Sequence, residues 1–178
     1  NRLDPQALRD TLVVFTSDHG DMMGDHHHWR KTYAYEGSAR IPFIVRYPTS
    51  WDMPRGQTVE APVELRDIMP TMLDAAGVDI PDSVDGQSLL PLARGQCDNW
   101  RTFVQGEHTS CYTHEHGMQY VTDGKEKYIW FHHTGEEQFF DLVSDPGECH
   151  NLAANSDQQT RIDRWRQRLA QINEERGD

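Results

Sequence analysis

The stretch "TLVVFTSDHGDMMGDHHHWRK" (residues 11–31) decides how the rest of the chain is read. Leu12 to Phe15 form a short apolar run rich in β-branched residues, the signature of a buried strand. The run breaks at once into Asp18, His19, Gly20, Asp21, Asp25 and the consecutive His26, His27 and His28. A core strand needs no such ending. In open α/β sheets, ligands bind beyond the carboxyl ends of strands, and hard divalent cations want carboxylate oxygens. Asp18 and His19 are therefore metal-ligand candidates, with His19 a neutral ligand or a donor to a bound anion. Gly20 lets the backbone turn sharply beside them. The alternative is a helix N-cap aspartate with a solvated histidine, but no helical pattern follows.

Working outward, residues 18–40 are too polar and too punctuated by glycine for regular structure and read as a long loop, ordered by Trp29, Tyr33 and Tyr35. Lys31 lies on it, where an ammonium would neutralise a tetrahedral anion and stabilise a leaving oxygen. The competing reading is a surface lysine. Glu36 and Arg40 are spaced to pair and brace the loop. Ile41 to Tyr47 read as a second buried strand. Both strands are expected to be buried on both faces, so residues 1–178 are expected to depend on an N-terminal piece or another copy to cover them. "VELRDIMPTMLDAAG" (63–77) reads as a helix with Ile68, Met72, Leu73 and Ala76 on its apolar face, Pro70 in its first turn and Gly77 as its stop. "GQSLLPLARG" (86–95) holds a short helical turn.

After Gly95 the pattern changes to short strands within "RTFVQGEH", "MQYVTDG", "KYIWFH" and "EQFFDL", with a hairpin turn through Asp123 and Gly124. A last helix presents Ile162, Trp165, Leu169 and Ile172 as an apolar stripe. The expected division is 1–95, a mixed α/β part, and 96–178, an antiparallel α+β part.

The net charge of −12 argues against nucleic acid as a partner, because a phosphate backbone needs a basic surface. No apolar run is long enough to span a membrane. The N-terminal segment carries no signal-peptide pattern and reads as the end of a helix entering a strand, as in a piece of something longer. Cys97, Cys111 and Cys149 show neither CxxC nor zinc spacing; one disulfide could form.

The residues 15–48, "FTSDHGDMMGDHHHWRKTYAYEGSARIPFIVRYP", resemble the C-terminal metal-binding segment of the type I sulfatases, within the alkaline phosphatase superfamily. Asp18, His19, Lys31, Glu36, Gly37, Arg40 and Pro42 match that pattern. Residues 63–92 resemble the next segment of the family, and residues 119–153 its C-terminal subdomain. The resemblance implies an α/β fold: the C-terminal part of an alkaline-phosphatase-like sulfatase, with a small antiparallel sheet and a C-terminal helix as subdomain. It implies that Asp18 and His19 complete a calcium-type site, that Lys31 binds the sulfate, and that His26 faces the pocket. His108 is the expected substrate contact at the pocket rim, ahead of His114 and His116. The family's nucleophile is a formylglycine made from a Cys/Ser-x-Pro-x-Arg motif, and none of the three cysteines fits that motif. The formylglycine is therefore expected in an N-terminal part of the same enzyme, and this chain is expected to be inactive alone. The implied function is hydrolysis of sulfate esters of sugars or aryl compounds. A phosphonate monoester or phosphodiester hydrolase of the same superfamily, and a non-catalytic interaction or remnant module, are the alternatives. Many similar enzymes are exported.

Overall fold

The computed structural model describes residues 4–177, which form two compact units. One comprises the chain up to Asp18 together with Ile41–Arg101; the other comprises His19–Arg40 together with the chain from Thr102. The boundary expected near residues 95–100 falls beside the crossing at Arg101 and Thr102, whereas the loop of residues 19–40 joins the C-terminal unit. The expected N-terminal helix end is a 3-10 turn at Ala7–Arg9, and the part of that expectation on residues 1–3 lies outside the described residues.

In the first unit, β1 (Val13–Thr16) and β2 (Phe43–Arg46) pair antiparallel, with Phe15 opposite Ile44 and Val14 opposite Val45. Leu12 and Val45 pack on the cluster of Tyr47, Met53, Leu90 and Ala93. The other face is open: Phe15 is 61% and Ile44 60% exposed. This open face is the apolar surface that the two strands were expected to leave uncovered in residues 1–178 alone, since a two-stranded ribbon has only a single layer of side chains beneath it. The expected loop also contains regular structure, a short helix α1 (Glu36–Ala39).

The helix expected over 63–77 is a 3-10 turn at Leu65–Asp67 running into α2 (Ile68–Ala75), and α3 (Leu89–Ala93) follows. The apolar stripe predicted for α2 is not its buried side. Met72 and Ala76 are exposed, while Pro70 and Thr71 are buried. A polar joint overrides the stripe. The Thr71 hydroxyl donates to the Asp67 carbonyl and accepts from the Leu89 amide at 2.9 Å, which ties α2 to the start of α3. Asp67, with 0% exposure, accepts from the Glu64 and Gln87 amides and from both terminal nitrogens of Arg101 at 2.5 and 2.6 Å.

The second unit contains a meander, β3 (Val104–His108), β4 (Met118–Thr122), β5 (Glu126–Phe131) and β6 (Glu136–Asp141), with neighbours antiparallel throughout. Strand alternation sends Val121, Tyr128 and Phe139 to one face, where they meet Ile162, Trp165 and Leu169 of α4 (Gln159–Arg176). Met118, Ile129 and Phe140 take the other face and are covered by Tyr33, Ala34 and Tyr35. The loop therefore forms the third layer of this unit, which is why it groups with the C-terminal sheet. Cys97, Cys111 and Cys149 are free thiols.

Ion pairs at the α4 interface carry a pH signature. Hydrogen bonds from Arg166 hold the Glu137 carboxyl below its ordinary value, and bonds from Arg161 do the same for Asp141. A depressed carboxyl stabilises the fold above its ordinary value, 4.5 and 3.8 here, and the stabilisation is lost as pH falls through the depressed one. The urea midpoint is therefore expected to fall between about pH 7 and about pH 3, and the Arg161→Met/Arg166→Met variant to show a smaller fall. Equal falls in variant and parent would contradict this origin. No described helix is long and apolar enough to cross a membrane.

Candidate active site

The loop between β1 and β2 is built by close backbone approach. The Gly20 amide donates to the Ser38 carbonyl at 2.8 Å, and a Cβ on Gly20 would collide with the Gly37 carbonyl. Within the loop, Met23, His26, His27, Arg30 and Thr32 all have positive φ, reaching 91° at Thr32. A β-branched residue in that region is strained, and such strain persists only where the surroundings impose it.

Two ring stacks supply part of that constraint. His26 lies flat on Tyr35, with centroids 4.1 Å apart and planes 3° apart, and His28 lies on Tyr33 at 4.1 Å. Tyr35 is anchored in turn by a 2.9 Å bond from its hydroxyl to Gln138. His26 Nε2 is 3.1 Å from the Gly147 carbonyl, which can only accept, so that nitrogen carries the proton and Nδ1 the lone pair. Burial and the neighbouring histidines hold the His28 imidazole below its ordinary value.

Asp18 is exposed at the end of β1, beside the Ser17 hydroxyl. His19 Nδ1 lies 2.6 Å from the Gly20 carbonyl, which fixes the proton on Nδ1 and puts the lone pair of the neutral ring on Nε2. That tautomer, oriented by a backbone carbonyl, is the one a metal-ligating histidine uses. A carboxylate followed by such an imidazole fits a divalent cation as part of a shell. Among the described residues, no group of three or more His, Cys, Asp or Glu side chains could hold a metal ion. Lys31 is exposed and has no ion-pair partner among the described residues. His108 closes β3, half-buried, with Nδ1 against the Thr109 carbonyl.

The structure therefore puts His19, His26 and Lys31 on one stacked loop and His108 on the sheet of the same unit. A separate cleft of about 260 Å³ in that unit is lined by His28, Tyr33, Tyr35, His116, Glu136 and Gln138 among others. None of His26, Lys31 and His108 lines it. The brace expected between Glu36 and Arg40 is a minor one: their contact is 3.4 Å with Arg40 largely exposed. The stronger partner of Glu36 is Lys127, at 2.7 Å, which also pairs with Glu148. Sequence reasoning missed Lys127 and Glu148. The signal for Lys127 was its place in β5, where alternation sets a charge on the same face as Ile129.

The family model described as N-sulphoglucosamine sulphohydrolase, C-terminal, matches residues 24–175. The chain belongs to this sulphohydrolase family. Its similarity to an arylsulfatase of Clostridium perfringens is 45% identity over 163 residues, covering 91% of this chain and 33% of that protein. Among solved structures, it resembles that of BT4656 in complex with its substrate D-glucosamine-2-N,6-O-disulfate, with a TM-score of 0.83 and 28% identity over 93% of this chain and 34% of that one. It also resembles a phosphonate monoester hydrolase from Silicibacter pomeroyi, with a TM-score of 0.80 and 29% identity over 94% of this chain and 35% of that one. The chain thus spans about a third of the length of the curated sulphohydrolase-like relatives it matches. These matches bear out the sulfatase resemblance and the α/β sulfatase C-terminal fold read from the Asp18-His19 and Glu36-Gly37 motifs.

Proposed function

We propose that residues 1–178 act as the C-terminal portion of a sulfuric ester hydrolase, with a sulfated sugar or an aryl sulfate as substrate. The loop carries this reading: Asp18 and His19 follow β1 with the His19 tautomer set for a ligand, and Lys31 stands exposed a few residues beyond the His26 stack. The family match supports it, as do relatives that are arylsulfatases and a structural neighbour that binds a sulfated glucosamine.

In this reading Asp18 and His19 Nε2 hold a divalent cation, calcium by the family resemblance. When bound, that cation supplies Lewis-acid charge beside the sulfuryl group. Lys31 brings its ammonium to the sulfuryl oxygens and stabilises charge that grows on them and on the leaving oxygen. His26, with Nδ1 as acceptor, orients a substrate hydroxyl or takes a proton at that atom. His108 contacts the substrate at the rim. The formylglycine nucleophile and the remaining ligands come from an N-terminal part of the same enzyme. That part also covers the open Phe15 and Ile44 face, so this chain alone is inactive.

Peptide mapping of the full-length gene product tests the assignment. A cysteine converted to formylglycine is lighter by roughly 18 Da, from sulfur replaced by oxygen and two hydrogens lost. An unmodified product with no Cys/Ser-x-Pro-x-Arg motif would reject it. The structural likeness to a phosphonate monoester hydrolase favours hydrolysis of phosphonate monoesters or phosphodiesters as the second reading.

A further inference from the structure

Lys127 is the least expected side chain in the molecule. It sits in β5 with 0% exposure, on the sheet face it shares with Ile129 and Phe140, and all three of its protons are used. Nζ donates to the Ala34 carbonyl at 2.7 Å, to Glu36 at 2.7 Å and to Glu148 at 2.8 Å. The other oxygen of Glu148 accepts from the Glu36 amide at 2.6 Å. Glu148, itself 2% exposed, holds this position with a positive φ of 53°. Burial pushes its carboxyl above the ordinary value, while the Lys127 ammonium pulls the other way.

Such a cluster is a poor way to gain stability. Taking Lys127 and Glu148 out of water costs several kcal/mol per ion, and apolar residues of similar volume do as well or better. What the cluster provides is geometry. It fastens the chain at the Ala34 carbonyl and the Glu36 amide, and the loop residues are attached to that short segment. Tyr35 carries the His26 ring. Ser38 accepts from Gly20, the neighbour of His19. Lys31 precedes Ala34 by three residues.

We propose that Lys127 and Glu148 are positioning residues for the active-site loop: the buried Glu36–Lys127–Glu148 cluster holds residues 34–38, and through them His19, His26 and Lys31, in the reacting arrangement. The role of Lys31 in this statement rests on the sulfatase reading; the fastening of the loop does not.

Two measurements on the full-length enzyme carrying this chain test the two parts separately. The variants are Lys127→Met, which fits an apolar face, and Glu148→Gln, which keeps an acceptor for the Glu36 amide. In hydrogen exchange, the Gly20, Glu36 and Ser38 amides are expected to exchange at least about tenfold faster, a larger increase than at the β4–β5 amides. In sulfate release, either variant is expected to lower kcat/KM about tenfold. Combined with Lys31→Ala, either is expected to cost clearly less than the product of the two single losses, because part of its effect passes through Lys31. Unchanged loop exchange overturns the fastening, and additive losses overturn the positioning role. Loss of protection throughout the sheet in both variants would show a general stability role and likewise overturn it. If the parent enzyme releases no sulfate, the sulfatase reading fails, and the exchange result alone decides whether the cluster fastens the loop.

Discussion

Replacing Arg101 by methionine is expected to destabilise the first unit by about 3–5 kcal/mol, the cost typical of removing one partner from a buried ion pair. Asp67 has no exposure, and the Arg101 fork makes the ion pair that compensates its charge. Without the guanidinium, its carboxylate keeps just the Glu64 and Gln87 amides. The effect should spread, because Asp67 organises the turn before α2 and, through Gln87, the chain entering α3. Arg101 also lies over the Trp100 ring at 4.7 Å, and the methionine retains part of that apolar contact, so the loss reports mainly on charge. Urea unfolding checks the expectation: a lower midpoint with an unchanged slope is the predicted result. A loss within about 0.5 kcal/mol, as for an ordinary surface change, would show that Asp67 is satisfied without Arg101.

Lys31→Ala should leave the fold intact and remove most of the activity. The side chain is exposed and unpaired among the described residues, so stability should change by no more than about 0.5 kcal/mol. If its ammonium meets the charge that grows on the sulfuryl oxygens, kcat in the full-length enzyme should fall about 10²–10³-fold, the usual cost of removing one preorganised donor. The loss should sit in kcat more than in KM, because the interaction strengthens in the transition state. A variant with full kcat and only a raised KM would make Lys31 a ground-state binding residue.

Much of this was readable from the chain. The strands of the meander alternate in period two, and the α4 stripe of Ile162, Trp165 and Leu169 is buried as its spacing predicts. The break from Val13–Thr16 into Asp18 and His19 gave the loop its functional reading before any contact was known. The failures share a cause, in that polar contacts between distant segments leave no local period. The stripe on α2 was overridden by the Asp67 and Thr71 bonds. Alternation in β5 puts Lys127 on the face of Ile129, but its burial comes from the loop folded over Ile129 and Phe140, which no local pattern announces. Its partner Glu148 is 21 residues away along the chain, within a stretch that reads as plain loop.

The most direct test of the central claim is the ratio of kcat/KM for a sulfate monoester to that for the matching phosphonate monoester. It should be measured on the full-length enzyme with and without calcium. The sulfatase reading predicts that the sulfate ester is preferred and that chelation abolishes its turnover. Preference for the phosphonate would contradict the sulfatase assignment and favour the second reading. Turnover of neither ester by the metal-loaded enzyme would contradict a catalytic role for Asp18, His19 and Lys31.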